Sequence, residues 1–107
     1  MATRALIHMP RAARRGDVVE VRALIAHAME TGFRTDSEGR TLPRNIVRRV
    51  EAHFEGEPVF AADLFPAITA NPYLAFKLRV QKSGTLVLRL EGDNGLQQRE
   101  TATLTVA

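Results

Sequence analysis

Four segments of this 107-residue chain alternate apolar and polar side chains with a period of two, and this alternation most restricts the possible fold. The apolar positions alternate along residues 19–25, 74–80, 86–90 and 102–106. In an extended strand such a pattern places every apolar side chain on one face, which must then be buried against a second layer. Turn-forming Gly, Pro, Asn and Asp residues separate these segments, as is typical of a sandwich of short strands.

The chain is therefore predicted to be all-β, a single antiparallel β-sandwich domain covering residues 1–107. Further strands are expected at about 3–8, 45–54 and 57–62. Residues 74–80 and 85–91, joined by a turn at Ser83 and Gly84, form the clearest hairpin. The total is about seven strands, the number typical of an immunoglobulin-like sandwich.

Two segments leave the choice between helix and strand open. Residues 17–30 contain no Gly or Pro and could be helical by propensity. Residues 43–54 place apolar side chains at helical spacing after Pro43, but they also fit a strand that puts Arg48 on the core side. Periodicity alone does not decide between these alternatives.

Basic residues are concentrated in the first half of the chain. Residues 1–50 hold ten Lys or Arg against five Asp or Glu, and the whole chain has a net charge of +3. One alternative function is therefore a nucleic-acid-binding module, in which residues 43–54 form a helix that presents Arg44, Arg48 and Arg49. No aromatic stacking platform accompanies these charges, so nucleic acid is not the expected partner.

The residue types give no support for an enzyme. Cysteine is absent, so a sulfur atom carried covalently on a thiol must belong to another polypeptide. His8, His27 and His53 do not have the spacing of a metal site, and neither serine lies in a nucleophile-elbow context. No glycine-rich phosphate loop is present, so no catalytic residue, metal or cofactor is expected.

Two interruptions of the strand pattern are candidates for function. The loop from Met29 to Leu42 is long, and loops of this length are usually either functional or mobile hairpin tips. The segment FPAITANPY at residues 65–73 contains Pro66 and Pro72, which favour a crossover between sheets. Tyr73 at its end would suit either the core or an interface.

Three motifs together resemble the Z-subunit family of the bacterial Sox (sulfur-oxidation) YZ carrier complex. They are HAMETGFR at residues 27–34, LPRNI at 42–46 and FPAITANPY at 65–73. The resemblance extends to TLTVA at residues 103–107. It implies strands in both of the segments that the periodicity leaves open.

The resemblance also implies a non-catalytic role. Members of this family form a heterodimer with SoxY, whose C-terminal arm carries thiosulfate-oxidation intermediates on a cysteine in the periplasm. They lack their own export signal and are expected to cross the membrane with a signal-bearing SoxY. The N-terminus of this chain has no apolar segment as long as an export signal or a membrane span. Transient contacts with other Sox enzymes are expected as well.

From the motifs, ten residues are predicted to contact the partner: Met29, Glu30, Thr31, Gly32, Phe33, Arg34, Arg44, Asn71, Pro72 and Tyr73. Arg34 and Arg44 are further predicted to attract the anionic cargo of the partner's arm. Ala28 and Phe33 depart from the residues common in similar sequences. A periplasmic protein-binding sandwich without a link to sulfur is the remaining alternative.

Overall fold

The computed structural model describes residues 4–107 and contains, in that part of the chain, eight β-strands and one 3-10 turn. The strands are β1 (Arg4–His8), β2 (Ala12–Ala13), β3 (Val18–Ala26), β4 (Val47–Phe54), β5 (Glu57–Asp63), β6 (Tyr73–Arg79), β7 (Gly84–Gly92) and β8 (Gln97–Val106). The 3-10 turn (Asp93–Gly95) joins β7 to β8. Residue 3 of the first predicted strand lies outside the described residues.

The strands form two sheets. One has the order β1-β3-β6 and the other the order β2-β8-β7-β4-β5, and all pairings are antiparallel except β2 with β8. The predicted all-β sandwich is confirmed, with seven longer strands where about seven were expected. The two-residue β2 was not predicted, because so short a strand has no visible alternation. The predicted hairpin of residues 74–80 and 85–91 is wrong, because β6 pairs with β3 in one sheet and β7 pairs with β4 and β8 in the other.

The period-two alternation produces the core. Along β3, every second side chain is buried between the sheets, and β7 supplies the facing set from the other layer. The fully buried side chains include Val21, Ile25, Leu86, Leu88 and Leu90. Removing these apolar surfaces from water stabilises the contact between the two sheets.

Both segments that could have been helical are strands, β3 and β4. The basic helix required by the nucleic-acid alternative is therefore absent from residues 43–54. The prediction that Arg48 would face the core is also wrong. The register shifts between Val47 and Arg49, so Val47 and Val50 are both buried while Arg48 is exposed. Such a bulge adds one residue to a strand and redirects the side chains that follow.

Two of the connections that cross between the sheets lie at the same end of the sandwich. Residues 27–46 connect β3 to β4, and residues 64–72 connect β5 to β6. The turn between β7 and β8, residues 93–96, lies at this end too, because β7 runs antiparallel to β4. We call these three segments the crossover end. The tight β4–β5 turn at residues 55–56 lies at the opposite end.

Candidate protein-binding surface at the crossover end

The three sequence motifs meet at the crossover end, although they are separated along the chain. The Asn71 amide donates a hydrogen bond to the His27 carbonyl oxygen at 2.8 Å, and the His27 amide donates to Asn71 Oδ1 at 3.1 Å. Asn71 has a left-handed backbone (φ 54), which Asn tolerates better than most residues. This reciprocal pair ties the two crossovers to each other.

The first motif is also tied to the second. Glu30 and Asn45 exchange two backbone hydrogen bonds, each of 2.8 Å. Gly32 has φ +87, and a Cβ built on it would lie 3.0 Å from Arg44 Cβ, so both its backbone and its surroundings favour glycine. The loop between the two motifs continues as a hairpin, with a further bridge between Thr35 and Thr41.

Asp93, in the turn between β7 and β8, fastens the second motif to the body of the sandwich. Its carboxylate accepts two hydrogen bonds from the Arg44 guanidinium, at 2.8 and 2.9 Å, and one from the Ile46 amide at 3.1 Å. The Arg48 guanidinium lies 3.3 Å from the same carboxylate. The hydrogen bond from Arg44 is the main reason why the pKa of Asp93 is lowered, and burial opposes this shift.

His27 is held as a neutral imidazole within this network. The Met29 amide donates to His27 Nδ1 at 2.9 Å, which requires Nδ1 to be unprotonated. Partial burial lowers the pKa of His27, and the negative charge of Asp93 acts in the opposite direction. Met29 itself is buried, and its Sδ accepts a hydrogen bond from the Val47 amide at 3.3 Å.

The predicted contact residues therefore differ in what they can offer a partner. Phe33 and Tyr73 are 84% and 59% exposed, so the interpretation of Tyr73 as a core residue is wrong. Met29 and Pro72 are buried and hold the crossovers in place. Thr31 accepts a hydrogen bond from the amide of Phe33 at 3.1 Å, within the loop.

The two arginines predicted to attract anions already have carboxylate partners. Arg34 forms a salt bridge with Glu30, and this contact is the main reason why the pKa of Glu30 is lowered. Arg44 is bound by Asp93. Each of these guanidinium groups thus has a carboxylate partner, although Asp93 is shared by Arg44 and Arg48. The attraction of the cargo by Arg34 and Arg44 stays an untested prediction.

An apolar row crosses the outer face of the three-stranded sheet beside the crossover end. Leu6 on β1 pairs with Leu24 on β3, and Leu24 pairs with Tyr73 on β6. These side chains are 58%, 40% and 59% exposed. Ala26 and Ala75 lie next to the row on the same face and are exposed as well. Leu6 and Leu24 were not predicted as surface residues that could bind a partner. The sequence signal that could have identified them is a leucine at a strand position that faces solvent, where a polar side chain is expected.

The outer face of the five-stranded sheet has a different character. Arg49 lies on this face and binds Glu51 at 2.7 Å and Asp63 at 2.8 Å. Arg89 and Arg99 are paired in the register of β7 and β8. This charged face is suited to water, whereas the exposed apolar row is the kind of surface that proteins bury against a partner.

The part of the chain that the structure describes contains no cluster of three His, Cys, Asp or Glu side chains able to hold a metal ion. Within the same residues, no helix is long and apolar enough to span a membrane.

The sequence profile of a family described as "Sulphur oxidation protein SoxZ" matches residues 7–103. The chain belongs to the SoxZ family. The match confirms the resemblance that rests on the three motifs, and it identifies the chain as a protein of the Sox sulfur-oxidation system. A search of curated proteins found no match.

Solved structures with the same fold include proteins of two kinds. A superoxide reductase (neelaredoxin) from Ignicoccus hospitalis has a TM-score of 0.73 at 18% identity, over 96% of this chain and 79% of that one. The sulfur carrier protein SoxY from Chlorobium limicola f thiosulfatophilum has a TM-score of 0.68 at 17% identity, over 96% and 78%. At these identities the similarity shows that this SoxZ-family chain shares their fold.

Proposed function

We propose that this SoxZ-family chain is the non-catalytic subunit of a sulfur carrier complex and binds a SoxY-type chain as a heterodimer. The exposed apolar row of Leu6, Leu24 and Tyr73 carries the proposal, because it is continuous across three strands and lies beside the family's motifs. A partner that covers the row removes apolar surface from water, which is the main favourable term in association.

The chemistry of the complex is divided between the two chains. This chain has no cysteine, so in this proposal the partner's C-terminal cysteine carries the covalent sulfur intermediates of thiosulfate oxidation. The SoxZ-family chain supplies a rigid surface that positions the partner. The complex acts in the periplasm, is exported with a signal-bearing SoxY, and makes transient contacts with the other Sox enzymes.

The crossover end gives the interface its shape. Hydrogen bonds between His27 and Asn71 and between Glu30 and Asn45 hold the two crossovers in one arrangement before the partner binds. A preformed surface loses less conformational entropy on binding than a mobile loop would. Phe33 and Tyr73 are then the exposed aromatic residues that contact the partner at this end.

Co-expression with the cognate SoxY-type chain, followed by size-exclusion chromatography with light scattering, tests the proposal. A 1:1 complex is expected, with a total buried area of at least about 1,200 Å². Elution of two separate monomers would contradict the proposal. The proposal would also be contradicted if the chain bound a protein without a carrier cysteine in preference to the SoxY-type chain. That result is what the alternative of a protein-binding sandwich without a link to sulfur predicts.

A matched pair of variants locates the surface. Leu24→Ser should weaken the complex at least about tenfold, because it places a polar group in the middle of the apolar row. Val18→Ser changes an exposed residue on the outer face of the same strand, at the opposite end of the sandwich, and should leave the affinity unchanged. Equal affinities for both variants, measured by titration calorimetry, would exclude this face as the interface.

A further inference from the structure

The sheets have four strand edges, and three of them are poorly suited to pairing with another chain. β1 has five residues and β2 only two. Beyond the short β2, residues 97–104 of β8 are also a strand edge, but this edge lies next to β1 of the other sheet. β5 contains Pro58, and its register with β4 is broken by an irregularity between Ala52 and His53. Short length, proline and bulges are the features by which proteins block edge pairing.

The fourth edge, β6, has none of these features. It runs for seven residues without proline and pairs with β3 in an unbroken register from Tyr73 to Arg79. Since β3 lies on one side of β6, the other side is an open edge in the sheet as described for residues 4–107.

Two hydrogen bonds show which backbone groups of β6 point outward. The Ile25 amide donates to the Pro72 carbonyl oxygen at 2.8 Å, and the Val80 amide donates to the Asp17 carbonyl oxygen at 2.9 Å. In an antiparallel pair, residues that bond to the neighbouring strand alternate with residues that do not. The even-numbered residues 72–80 therefore face β3. The N–H and C=O groups of the odd-numbered residues, 73, 75, 77 and 79, point to the open edge.

The side chains along this edge define what a partner strand must offer. Tyr73, the last residue of the apolar row, lies on the outer face, and Ala75, Lys77 and Arg79 follow on the same face. Toward the interior, Phe76 stacks on Phe60 of β5 with ring centroids 4.6 Å apart, at the opening between the two sheets. Both rings are only partly buried, so a strand added beside β6 would cover them.

We propose that the open edge of β6 pairs with an extended strand of the SoxY-type partner, so that one continuous sheet spans both chains. This inference rests on the proposed function and specifies how the partner is held. The partner strand has apolar side chains opposite Tyr73 and Ala75 and acidic side chains opposite Lys77 and Arg79. Backbone hydrogen bonds supply affinity, and the neighbouring apolar row continues the same interface.

Amide hydrogen exchange measured by NMR, on the full chain alone and in the complex, tests this proposal. In the isolated chain, the amides of Leu74, Phe76 and Leu78 should exchange slowly, because they bond to β3. Those of Tyr73, Ala75, Lys77 and Arg79 should exchange quickly. On binding, this second set should slow at least about tenfold.

Two variants at one position separate the backbone from the side chain. Ala75→Pro removes an outward N–H without touching the bonds to β3, and it should weaken the complex about tenfold or more. Ala75→Val keeps the N–H and adds comparable bulk, so the difference in affinity between the two variants measures what the outward N–H contributes to binding. Circular dichroism of each isolated variant establishes that the fold is retained.

The outcomes distinguish this proposal from the proposed function. A stable complex in which the four outward amides still exchange quickly, or in which Ala75→Pro binds normally, would overturn strand pairing and leave the heterodimer standing. Slow exchange of those amides in the monomeric chain alone would show that the edge is already occupied and would also overturn it. No complex at all would refute both proposals.

Discussion

Replacing Asp93 should show how strongly the frame of the crossover end depends on one carboxylate. Asp93→Ala removes two hydrogen bonds from Arg44 and one from the Ile46 amide, and it leaves that amide without its acceptor. The side chain of Asp93 is only 14% exposed, whereas that of Arg44 is 48% exposed. The loss of this partly buried acceptor for the Ile46 amide should therefore contribute more than the loss of the ion pair.

The expected size of the effect follows from these contacts. An unsatisfied buried donor costs about 1–3 kcal/mol, and a partly exposed ion pair adds roughly 1 kcal/mol or less. We expect the free energy of unfolding to fall by about 2–3 kcal/mol in Asp93→Ala. At ~4 °C per kcal/mol for a domain of this size, the unfolding midpoint should fall by about 8–12 °C.

Chemical and thermal denaturation, followed by circular dichroism, measure this change. Asp63→Ala is the matched control, because Asp63 is an exposed carboxylate that also contacts an arginine. The unfolding midpoint of this variant should stay close to that of the natural chain.

The dependence of stability on pH provides a second test. The pKa of Asp93 is lowered from its ordinary value of 3.8, so its stabilisation is present above that pH and is lost as the pH falls through the folded-state pKa.

The difference in the free energy of unfolding between the natural chain and Asp93→Ala should therefore become smaller in strong acid. A midpoint for Asp93→Ala within about 2 °C of the control at neutral pH would refute the view that Asp93 fastens the LPRNI motif.

Two further predictions concern the same frame. Because the pKa of His27 is lowered from 6.5, the natural chain should lose stability as the pH falls below that value and through the folded-state pKa. In urea denaturation, the free energy of unfolding of His27→Gln should fall less between about pH 7.5 and 5.5 than that of the natural chain. Equal losses would contradict a neutral His27. Gly32→Ala should destabilise the chain by more than Gly39→Ala in thermal denaturation. Both glycines have positive φ, but only at Gly32 would the new methyl group meet another residue, Arg44; equal effects would show that this contact is unimportant.

The sequence predicted the strands well because alternation is a local signal. β3, β6, β7 and β8 coincide with the alternating segments, but the connection before Gly84 crosses from one sheet to the other and does not close the predicted hairpin. Residues 43–54 were harder, since the bulge after Val47 shifts the phase of the pattern within one strand. A bulge depends on pairing with a strand some forty residues away, and no local pattern contains that information.

The candidate surface was predicted only in part. The motifs located the crossover end and Tyr73, but the charges of Arg34 and Arg44 gave no indication of their carboxylate partners. The sequence indicated Asp93 only as part of a turn. Its role arises from contacts with Ile46 and Arg44, which lie 47 and 49 positions earlier in the chain. Leu6 and Leu24 form a row only when three strands are aligned.

The separation of the two ends of the sandwich has a practical use. β5 extends for seven residues between Asp63, beside the crossover end, and Glu57 at the far turn, a distance of roughly 20 Å. Since the chain contains no cysteine, Glu57→Cys would create a unique thiol for a fluorescent or spin label. A label there would report the approach and orientation of a bound protein from a site that the crossover loops do not reach.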